Sequence, residues 1–310
     1  MIISIAGPTA TGKTALSLQV AEKLGGPARV EIVSADAMQL YRGMDIGTAK
    51  LPESERRGIT HHQIDVLDIS LEASAAAYQR QARADLESIV ARGKIALVVG
   101  GSGLYLAALL DELDFPGHDP AIRADLEAVA ATQGLEPLIR ELAEKDPQSH
   151  ATIDLANPRR VIRALEVIRL TGGLYTPRFP RHTSHYGDHI GFVTTRENEI
   201  LNAAIAQRAQ TMMDRGLLEE TRQLLDRGLR RTPTASRATG YAQAISVLDG
   251  HMSRDEAVAA IAQSTRRLAK KQRTWFRADP RPRWVDLSDG DLAGAADEIV
   301  AVARENSALQ

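Results

Sequence analysis

A short motif near the N-terminus combines the residue types that bind phosphate groups. Residues 7–14 fit the pattern G-x-x-x-x-G-K-[ST] and lie between an apolar run and an amphipathic segment. Glycines let successive backbone N–H groups turn inward around a phosphate, Lys13 reaches the outer phosphates, and the Thr14 hydroxyl holds Mg²⁺. The alternative is a turn that binds nothing. The motif predicts a phosphate-binding loop (P-loop) made of Gly7, Pro8, Thr9, Ala10, Thr11, Gly12, Lys13 and Thr14.

A carboxylate follows the second apolar run of the chain. Asp36 comes directly after residues 30–34, at the strand end where a parallel sheet places its ligands. A carboxylate there serves as a magnesium ligand, a general base or a helix cap, and the residues alone leave these three roles open. The third run ends in the sequence GGSG at residues 100–103 instead of the acidic residue of an ATP hydrolase. Those glycines predict that something bulky approaches the backbone closely.

Strands and helices that alternate along the chain must position these residues. Short apolar runs bounded by Gly, Pro or Asp are typical of buried strands in a parallel sheet. The predicted strands are 2–6, 30–34, 95–99, 190–194 and 283–287. Helical periodicity predicts helices over 14–24, 73–92, 197–227 and 254–276. The alternation predicts an α/β fold, a P-loop NTPase-like parallel sheet flanked by helices.

The pattern changes between residues 116 and 189, where helical stretches follow one another without a convincing strand. Each of the three helical stretches begins with or near a proline, which is tolerated in the first turn of a helix. The predicted helices are 120–132, 137–145 and 158–170, and residues 171–187 are predicted to form a mobile loop. We therefore expect an all-helical insertion domain over 116–189 within a core formed by 1–115 and 190–310.

Composition excludes several classes of protein. The chain has 310 residues, 44% of them apolar and none of them cysteine, which excludes disulfides, thiolate metal sites and a thiol nucleophile. The net charge of −2 argues against a uniformly basic surface. That total conceals a separation of charge, because residues 227–283 carry +9 and the remainder carries −11. The basic segment is a candidate surface for nucleic acid.

No apolar run approaches the length of about 18 residues that crosses a bilayer. The N-terminus lacks the basic segment of a secretory signal. The expected location is the cytoplasm, without contact to a membrane, and a monomer is the default state. The adjacent pair His61 and His62 points apart, which favours a structural role over metal binding.

Several motifs together resemble the tRNA dimethylallyltransferase family, also called tRNA isopentenyltransferases. They are the P-loop, the block DAMQLYRGMDIGTAK from Asp36 to Lys50, the pair His61–His62, VGGSGLY at 99–105, RALEV at 163–167 and Gly240–Tyr241. The likeness extends over nearly the whole chain in the family's order. It implies transfer of the dimethylallyl group of dimethylallyl diphosphate to N6 of the adenine 3′-adjacent to the anticodon. ATP is not needed.

The resemblance also assigns roles to residues. It implies that Lys13, the P-loop and Mg²⁺ bound to Thr14 stabilise the departing diphosphate, and that Asp36 accepts the proton of the adenine amine. The implied partner is the anticodon stem-loop of tRNA, with the adenine unstacked into a channel. The implied tRNA contacts are Asp36, Ala37, Met38, Gln39, Ser102, Arg123, Arg159, Arg160, Val161, Ile162, Arg163, Arg237, Ala238, Thr239, Gly240, Tyr241, Ala242, Lys270, Lys271, Arg273 and Arg277.

The aromatic residues near these contacts have two interpretations. Tyr241, Trp275 and Phe276 are candidates to stack on a displaced base, although helical spacing fits a core role for the last two equally well.

Some positions depart from the family pattern. Ala37 stands where serine is common, and Ala242 where lysine or arginine is common. The position of an arginine that grips the diphosphate is occupied by Ala204, and a second such position by Asn198. Arg196 and Arg208 are candidates to replace that arginine.

Other functions remain open at the level of sequence. The alternative of a different class is a P-loop small-molecule or nucleotide kinase that uses ATP, which leaves the basic segment and the insertion unexplained. An RNA-binding protein with a degenerate site and a prenyltransferase acting on free adenine nucleotides are further alternatives.

Overall fold

The computed structural model describes residues 1–175, 182–232 and 234–308, and the chain divides into two compact units. One unit comprises Met1–Glu112 and His182–Gln310, and the other comprises Leu113–Arg181. Residues 182–189, predicted as the end of the insertion, pack within the first unit, where Ser184 forms a β-bridge with Asp111. Part of the predicted loop, residues 176–181, lies outside the described residues.

The first unit is built on a six-stranded parallel sheet with the order β3-β2-β4-β1-β5-β6. The strands are β1 Ile2–Ala6, β2 Val30–Ser34, β3 His61–His62, β4 Ile95–Gly100, β5 His189–Thr195 and β6 Arg283–Asp286. Each predicted strand is present, and the predicted α/β class is confirmed. The addition is β3, which pairs with Ile32 and Val33. It was not predicted because two histidines have no apolar periodicity.

The described residues contain twelve helices. They are α1 Lys13–Lys23, α2 Ala75–Ala91, α3 Gly103–Leu110, α4 Pro120–Gln133, α5 Glu136–Lys145, α6 Pro147–Thr152, α7 Pro158–Thr171, α8 Asn198–Asp214, α9 Leu217–Asp226, α10 Tyr241–Leu248, α11 Arg254–Arg277 and α12 Leu292–Ala308. The single helix predicted over 197–227 is wrong. Gly216, at φ 97°, adopts the left-handed conformation that ends α8 and starts α9.

Alternate residues of the central strand face two layers of helices. Ile3 and Ile5 of β1 pack with Leu16 of α1 and Ile299 of α12. On the other face, Ile2 belongs to a cluster with the buried side chains of α2 and α3. Because β1 is buried on both faces, every residue of the strand is apolar or small. The strand ends at Ala6, where the P-loop begins.

A third cluster joins helices α8 to α11 of the first unit. Its buried members include Ile205 and Ala209 of α8, Leu217 of α9 and Ile261 of α11. This cluster holds α8 and α11 side by side near the carboxyl ends of the strands.

The second unit contains only helices in its described residues, α4 to α7. Leu126, Leu138, Leu142 and Leu165 form its buried core. None of the helices in the described part of the chain is long and apolar enough to cross a membrane.

Candidate active site

The P-loop turns from β1 into α1 through two residues at positive φ, Gly7 at 143° and Gly12 at 100°. A Cβ atom on Gly7 would lie 2.4 Å from the hydroxyl of Thr194, so glycine is required by close packing as well as by conformation. The Thr11 hydroxyl donates to the carbonyl of Pro8 at 2.9 Å and contacts the Thr194 hydroxyl at 2.7 Å. These buried contacts hold the loop against β5.

Lys13, the first residue of α1, folds its side chain back over the loop. Its Nζ donates to the carbonyl oxygen of Pro8 at 2.6 Å. Burial and the positive charge of Arg208 together lower the pKa of Lys13 to about 7, although the charge of Asp36 opposes the shift. The ammonium group therefore lacks an adequate anionic partner in the protein itself. An anionic group bound in the loop would supply one.

Asp36 lies just beyond the end of β2, close enough to Lys13 and Arg208 for their charges to act on it. Its Oδ1 accepts the backbone N–H of Met38 at 2.9 Å. Burial raises the pKa of Asp36, and the Met38 N–H and the charges of Lys13 and Arg208 oppose that shift. The neighbouring N–H of Ala37 donates to the Ser102 hydroxyl at 3.2 Å. Asp36 is thus tied to the loop after β4.

Arg208 is the cation of α8 that reaches the P-loop. Its Nη1 donates to the Thr9 hydroxyl at 3.0 Å, and burial lowers its pKa. Ala204, one turn earlier, packs against the apolar cluster between α8 and α11. The other candidate, Arg196, lies beside Gly12 and donates from Nε to the carbonyl of Leu287 at 3.1 Å.

A cavity of about 130 Å³ opens beside Asp36, between α8 and α11. Thr9, Asp36, Arg208 and Gln272 are among its polar lining residues. Its apolar lining includes Met38, Ile205, Ala209, Met212, Ile261 and Leu268. A small apolar group attached to an anionic head fits this division of the lining.

A larger cavity of about 470 Å³ borders Met1 and Ile95, at the amino ends of β1 and β4. Because ligands of open parallel sheets bind at the carboxyl ends of the strands, the smaller cavity is the candidate site.

Comparisons with known proteins match this arrangement to one family. A family model described as IPP transferase matches residues 39–279. The chain is 49% identical to the tRNA dimethylallyltransferase of Mycobacterium tuberculosis over 97% of its own length and 98% of the relative's. It belongs to the tRNA dimethylallyltransferase family. The counterpart from Nocardia farcinica is 48% identical over 95% of this chain and 93% of the relative.

Solved structures of the family have the same fold. The tRNA isopentenylpyrophosphate transferase of Bacillus halodurans superimposes with a TM-score of 0.71 at 37% identity, covering 99% of this chain and 98% of that one. A eukaryotic dimethylallyltransferase, described as acting on tRNA, superimposes with a TM-score of 0.84 at 24% identity over 100% of this chain and 80% of that one. The resemblance predicted from sequence motifs is confirmed.

The family's glycine-rich turn after β4 is crowded by the protein itself. Cβ atoms at Gly100, Gly101 and Gly103 would lie 2.2 Å from the Ala35 carbonyl oxygen, 2.6 Å from Gln272 Nε2 and 2.4 Å from the Trp275 ring. Sequence reasoning correctly required close approach at these glycines. Their observed neighbours are Ala35, the residue after β2, and two residues of α11, all from distant parts of the chain.

Tyr241, half of the family's Gly-Tyr pair, does not fit the stacking interpretation. The side chain is fully buried, and a Cβ atom on Gly47 would lie 2.4 Å from its ring. Its hydroxyl donates to Glu220 at 2.6 Å. The Glu220 carboxylate also accepts the N–H groups of Asp45, Ile46 and Gly47. Tyr241 therefore holds Glu220 against the 45–47 turn, and a buried ring is unavailable to an RNA base.

Glu220 is a residue that sequence reasoning missed. It carries no local signal because its partners lie on a loop about 175 residues earlier and on the next helix. In the sequence, the one indication of this contact is Gly47, a glycine within the motif from Asp36 to Lys50.

The other residues implied as tRNA contacts include buried residues, ion-paired arginines and exposed cations. Val161 and Ile162 are buried in the core of the second unit, so their side chains are inaccessible to RNA. Arg123 and Arg163 pair with the buried Glu166, which also contacts His118. Six cations are exposed and form no ion pair in the part of the chain that the structure describes: Arg159, Arg160, Arg237, Lys270, Lys271 and Arg277.

Further implied contacts lie on or near α11 and the cavity. Arg273 donates to Asn198 Oδ1 at 2.5 Å, which connects α11 with the start of α8. Met38, Ala238 and Thr239 line the cavity. Gln39 donates to the carbonyl of Thr48, while Ala242 lies half-buried in the first turn of α10. Trp275 is 47% exposed and Phe276 is buried, so only Trp275 keeps an accessible ring.

The start of α1 suits magnesium. Thr14 is exposed in the first turn and offers a hydroxyl oxygen, a hard ligand of the kind Mg²⁺ prefers. The described residues contain no cluster of three acidic or histidine side chains that could hold a metal unaided. Mg²⁺ commonly binds through few protein oxygens together with substrate phosphates and water. The residues present therefore fit Mg²⁺ held jointly by Thr14 and a phosphorylated ligand.

Proposed function

We propose that this protein transfers the dimethylallyl group of dimethylallyl diphosphate to N6 of the adenine 3′-adjacent to the anticodon in tRNA, releasing diphosphate. The observation that carries the proposal is the meeting of Asp36, the P-loop and Arg208 at the polar side of a small, partly apolar cavity. The names of the relatives support the same activity. A five-carbon group suits the apolar lining, and a diphosphate suits the loop.

Departure of the diphosphate is the first task of the site. As the allylic carbon–oxygen bond breaks, the bonding electrons stay on the diphosphate oxygen. Lys13, the N–H groups of the P-loop and the N-terminus of α1 stabilise that developing charge. Arg208, held by the Thr9 hydroxyl, adds a second cation. When bound at Thr14, Mg²⁺ supplies further neutralisation of the diphosphate.

Attack by the adenine amine is the second task. The lone pair of N6 is delocalised into the ring, so the amine is a weak nucleophile and benefits from a base. Asp36 accepts the amine proton as the new nitrogen–carbon bond forms. Its raised pKa makes it a stronger base than an ordinary aspartate, and the Met38 N–H holds one oxygen in place.

Binding of tRNA is assigned to the exposed cations of both units. On α11, Lys270, Lys271 and Arg277 present free charges, and Arg237 lies just before α10. Arg159 and Arg160 do the same on α7. These contacts would grip the phosphates of the anticodon stem-loop, while the target adenine leaves the stack to reach Asp36.

Neutralising Arg159 and Arg160 tests the tRNA surface of the second unit. The double variant Arg159→Gln/Arg160→Gln should weaken tRNA binding and reduce the slope of log K against log salt by roughly 0.7 for each lost contact to single-stranded phosphate. Filter binding over a salt series measures this slope. Lys145→Gln is the matched control, because Lys145 in the same unit is already paired with Glu141. An unchanged slope in the double variant removes these two arginines from the RNA surface.

Proton uptake tests the state of Lys13. Because the pKa of Lys13 is about 7 before an anionic ligand binds, the side chain is mostly neutral at pH 8. A bound diphosphate favours the ammonium form, so binding at pH 8 should take up close to one proton, and the uptake should fade below about pH 6. Calorimetry with inorganic diphosphate in buffers of different ionisation enthalpy measures it. Lys13→Met corrects for protons released by the ligand, and equal uptake in both proteins contradicts the prediction.

Product analysis tests the function directly. The protein is incubated with unmodified tRNA, Mg²⁺ and either dimethylallyl diphosphate or ATP, and the nucleosides are then analysed by mass spectrometry. The expected result is a five-carbon gain on one adenosine with the first donor and none with ATP. Free AMP serves as a second acceptor. Phosphate transfer from ATP would favour the kinase alternative, and prenylation of AMP in preference to tRNA would reject the tRNA assignment.

A further inference from the structure

We infer that Gln272 is a positioning residue that sets the distance between the half of the site that binds diphosphate and the half that carries the base. The inference rests on the proposed function, since it concerns how the two halves meet. Gln272 lies on α11, between the exposed Lys271 and the half-buried Arg273, but its side chain points inward and lines the cavity.

The amide of Gln272 joins two loops that are far apart in sequence. Its Oε1 accepts the backbone N–H of Thr9 in the P-loop at 2.9 Å. Its Nε2 donates to the backbone carbonyl of Gly101, after β4, also at 2.9 Å. Each loop uses a different end of one rigid planar group. The two backbones are therefore held at a separation determined by the size of the amide.

Both ends of this bridge lead directly to groups of the proposed mechanism. On the P-loop side, the hydroxyl of Thr9 accepts a hydrogen bond from Arg208 at 3.0 Å. On the other side, Ser102 follows Gly101 and accepts the N–H of Ala37, the residue after Asp36, at 3.2 Å. Gln272 thus stands between a cation of the leaving-group site and the backbone that carries the base.

Gly101 provides the space that the bridge needs. A Cβ atom at this position would lie 2.6 Å from Gln272 Nε2 and 3.1 Å from the carbonyl oxygen of Gly7. Any larger residue would displace the amide from the carbonyl. Gly101 has no positive φ, so the reason for glycine is this close approach and not the backbone conformation.

The bridge formed by the Gln272 amide matters because the rate of group transfer depends steeply on the distance between the reacting groups. A displacement of about 1 Å between reacting groups can reduce a rate by about 100-fold. Removing the amide leaves the Thr9 N–H and the Gly101 carbonyl without their partner and lets the two loops move independently. Binding of either substrate alone does not require their relative position, whereas the transfer step does. Loss of Gln272 should therefore reduce kcat more than it weakens binding.

The experiment compares Gln272→Ala with the control Gln263→Ala, an exposed glutamine on the same helix. For Gln272→Ala we expect kcat for dimethylallyl transfer to fall by about 10- to 100-fold. The Kd for an anticodon stem-loop and the Kd for inorganic diphosphate should each stay within about threefold of those of the unchanged protein. Because two backbone groups lose their partner, Tm should fall, but by no more than about 4 °C. Gln272→Glu keeps the acceptor for Thr9 and the volume of the side chain. Its carboxylate has no N–H for the Gly101 carbonyl, so it should also lower kcat by at least about 10-fold, and this variant covers the case that the alanine variant fails to fold.

A double-variant cycle with Gly101→Ala provides the second measurement. Gly101→Ala displaces the same amide from the other side, so it should lower kcat by a similar factor. Because both changes break one contact, the double variant Gly101→Ala/Gln272→Ala should be about as active as Gln272→Ala alone. Losses that multiply, or a kcat for Gln272→Ala within twofold of that of the unchanged protein, would overturn the inference. Absence of transfer by the unchanged protein would instead reject the proposed function.

Discussion

Replacing Asp36 by asparagine should lower kcat by about 100- to 10,000-fold and leave the Kd for tRNA within about twofold. Asparagine has the same shape, and its Oδ1 can still accept the Met38 N–H that now bonds Asp36. It cannot accept a proton from the adenine amine. The change therefore removes the proposed base and keeps the packing, and single-turnover transfer measured beside tRNA filter binding separates the two effects.

The pH profile sharpens this test. Burial raises the pKa of Asp36, so the acidic limb of kcat/KM should lie above the pH range of an ordinary aspartate. Below that pKa the carboxyl group is protonated and cannot act as a base, and the rate falls. The Asp36→Asn variant should lack this limb. Asp226→Asn, an exposed aspartate in the same unit, is the control. Turnover of Asp36→Asn within about fivefold of that of the unchanged protein would reject Asp36 as the base.

Replacing Lys13 by methionine should lower kcat/KM for dimethylallyl diphosphate by about 100- to 1000-fold. The methionine side chain fills a similar volume but provides no charge for the departing diphosphate. Lys13 also donates to the Pro8 carbonyl, so the loop loses one internal contact. Initial rates at saturating tRNA measure the effect, and inhibition by the product diphosphate should weaken in parallel.

The control for this prediction is Lys23→Met, at the other end of α1, where the lysine is paired with Asp297. This variant should transfer the dimethylallyl group at the normal rate. Lys13→Met activity within tenfold of that of the unchanged protein would mean that Arg208 and the loop N–H groups suffice for departure of the leaving group.

The sheet was predictable because its strands are buried on both faces. Continuous apolar runs such as 2–6 and 95–99 have no polar alternation, and this pattern identifies central parallel strands. The break between α8 and α9 was missed because the apolar periodicity continues across Gly216, whose left-handed conformation is a matter of backbone geometry. The third strand was missed for a similar reason, since His61 and His62 join the sheet by backbone pairing to β2.

The sequence predicts which polar residues belong to the site, but it predicts less well which residues surround them. Asp36 and Lys13 belong to short motifs whose chemistry is local. By contrast, the sequence makes the Tyr241 ring a candidate for stacking, and only its burial against Gly47 excludes that role. Val161 and Ile162 belong to a segment with exposed arginines, yet they face the core of their unit because helix periodicity alternates the two environments.

By itself, the sequence determined the α/β class, the P-loop, the carboxylate at the end of β2 and membership of the tRNA dimethylallyltransferase family. These features depend on residue type and local spacing, so they can be recognised along the chain. Only the tertiary structure decided that Arg208 is the cation that meets Thr9, that Glu220 holds the 45–47 turn and that Gln272 joins Thr9 to Gly101. Each of these contacts joins segments more than 150 residues apart. Such contacts follow from how α8, α9 and α11 pack beside the sheet, because packing determines which distant side chains meet.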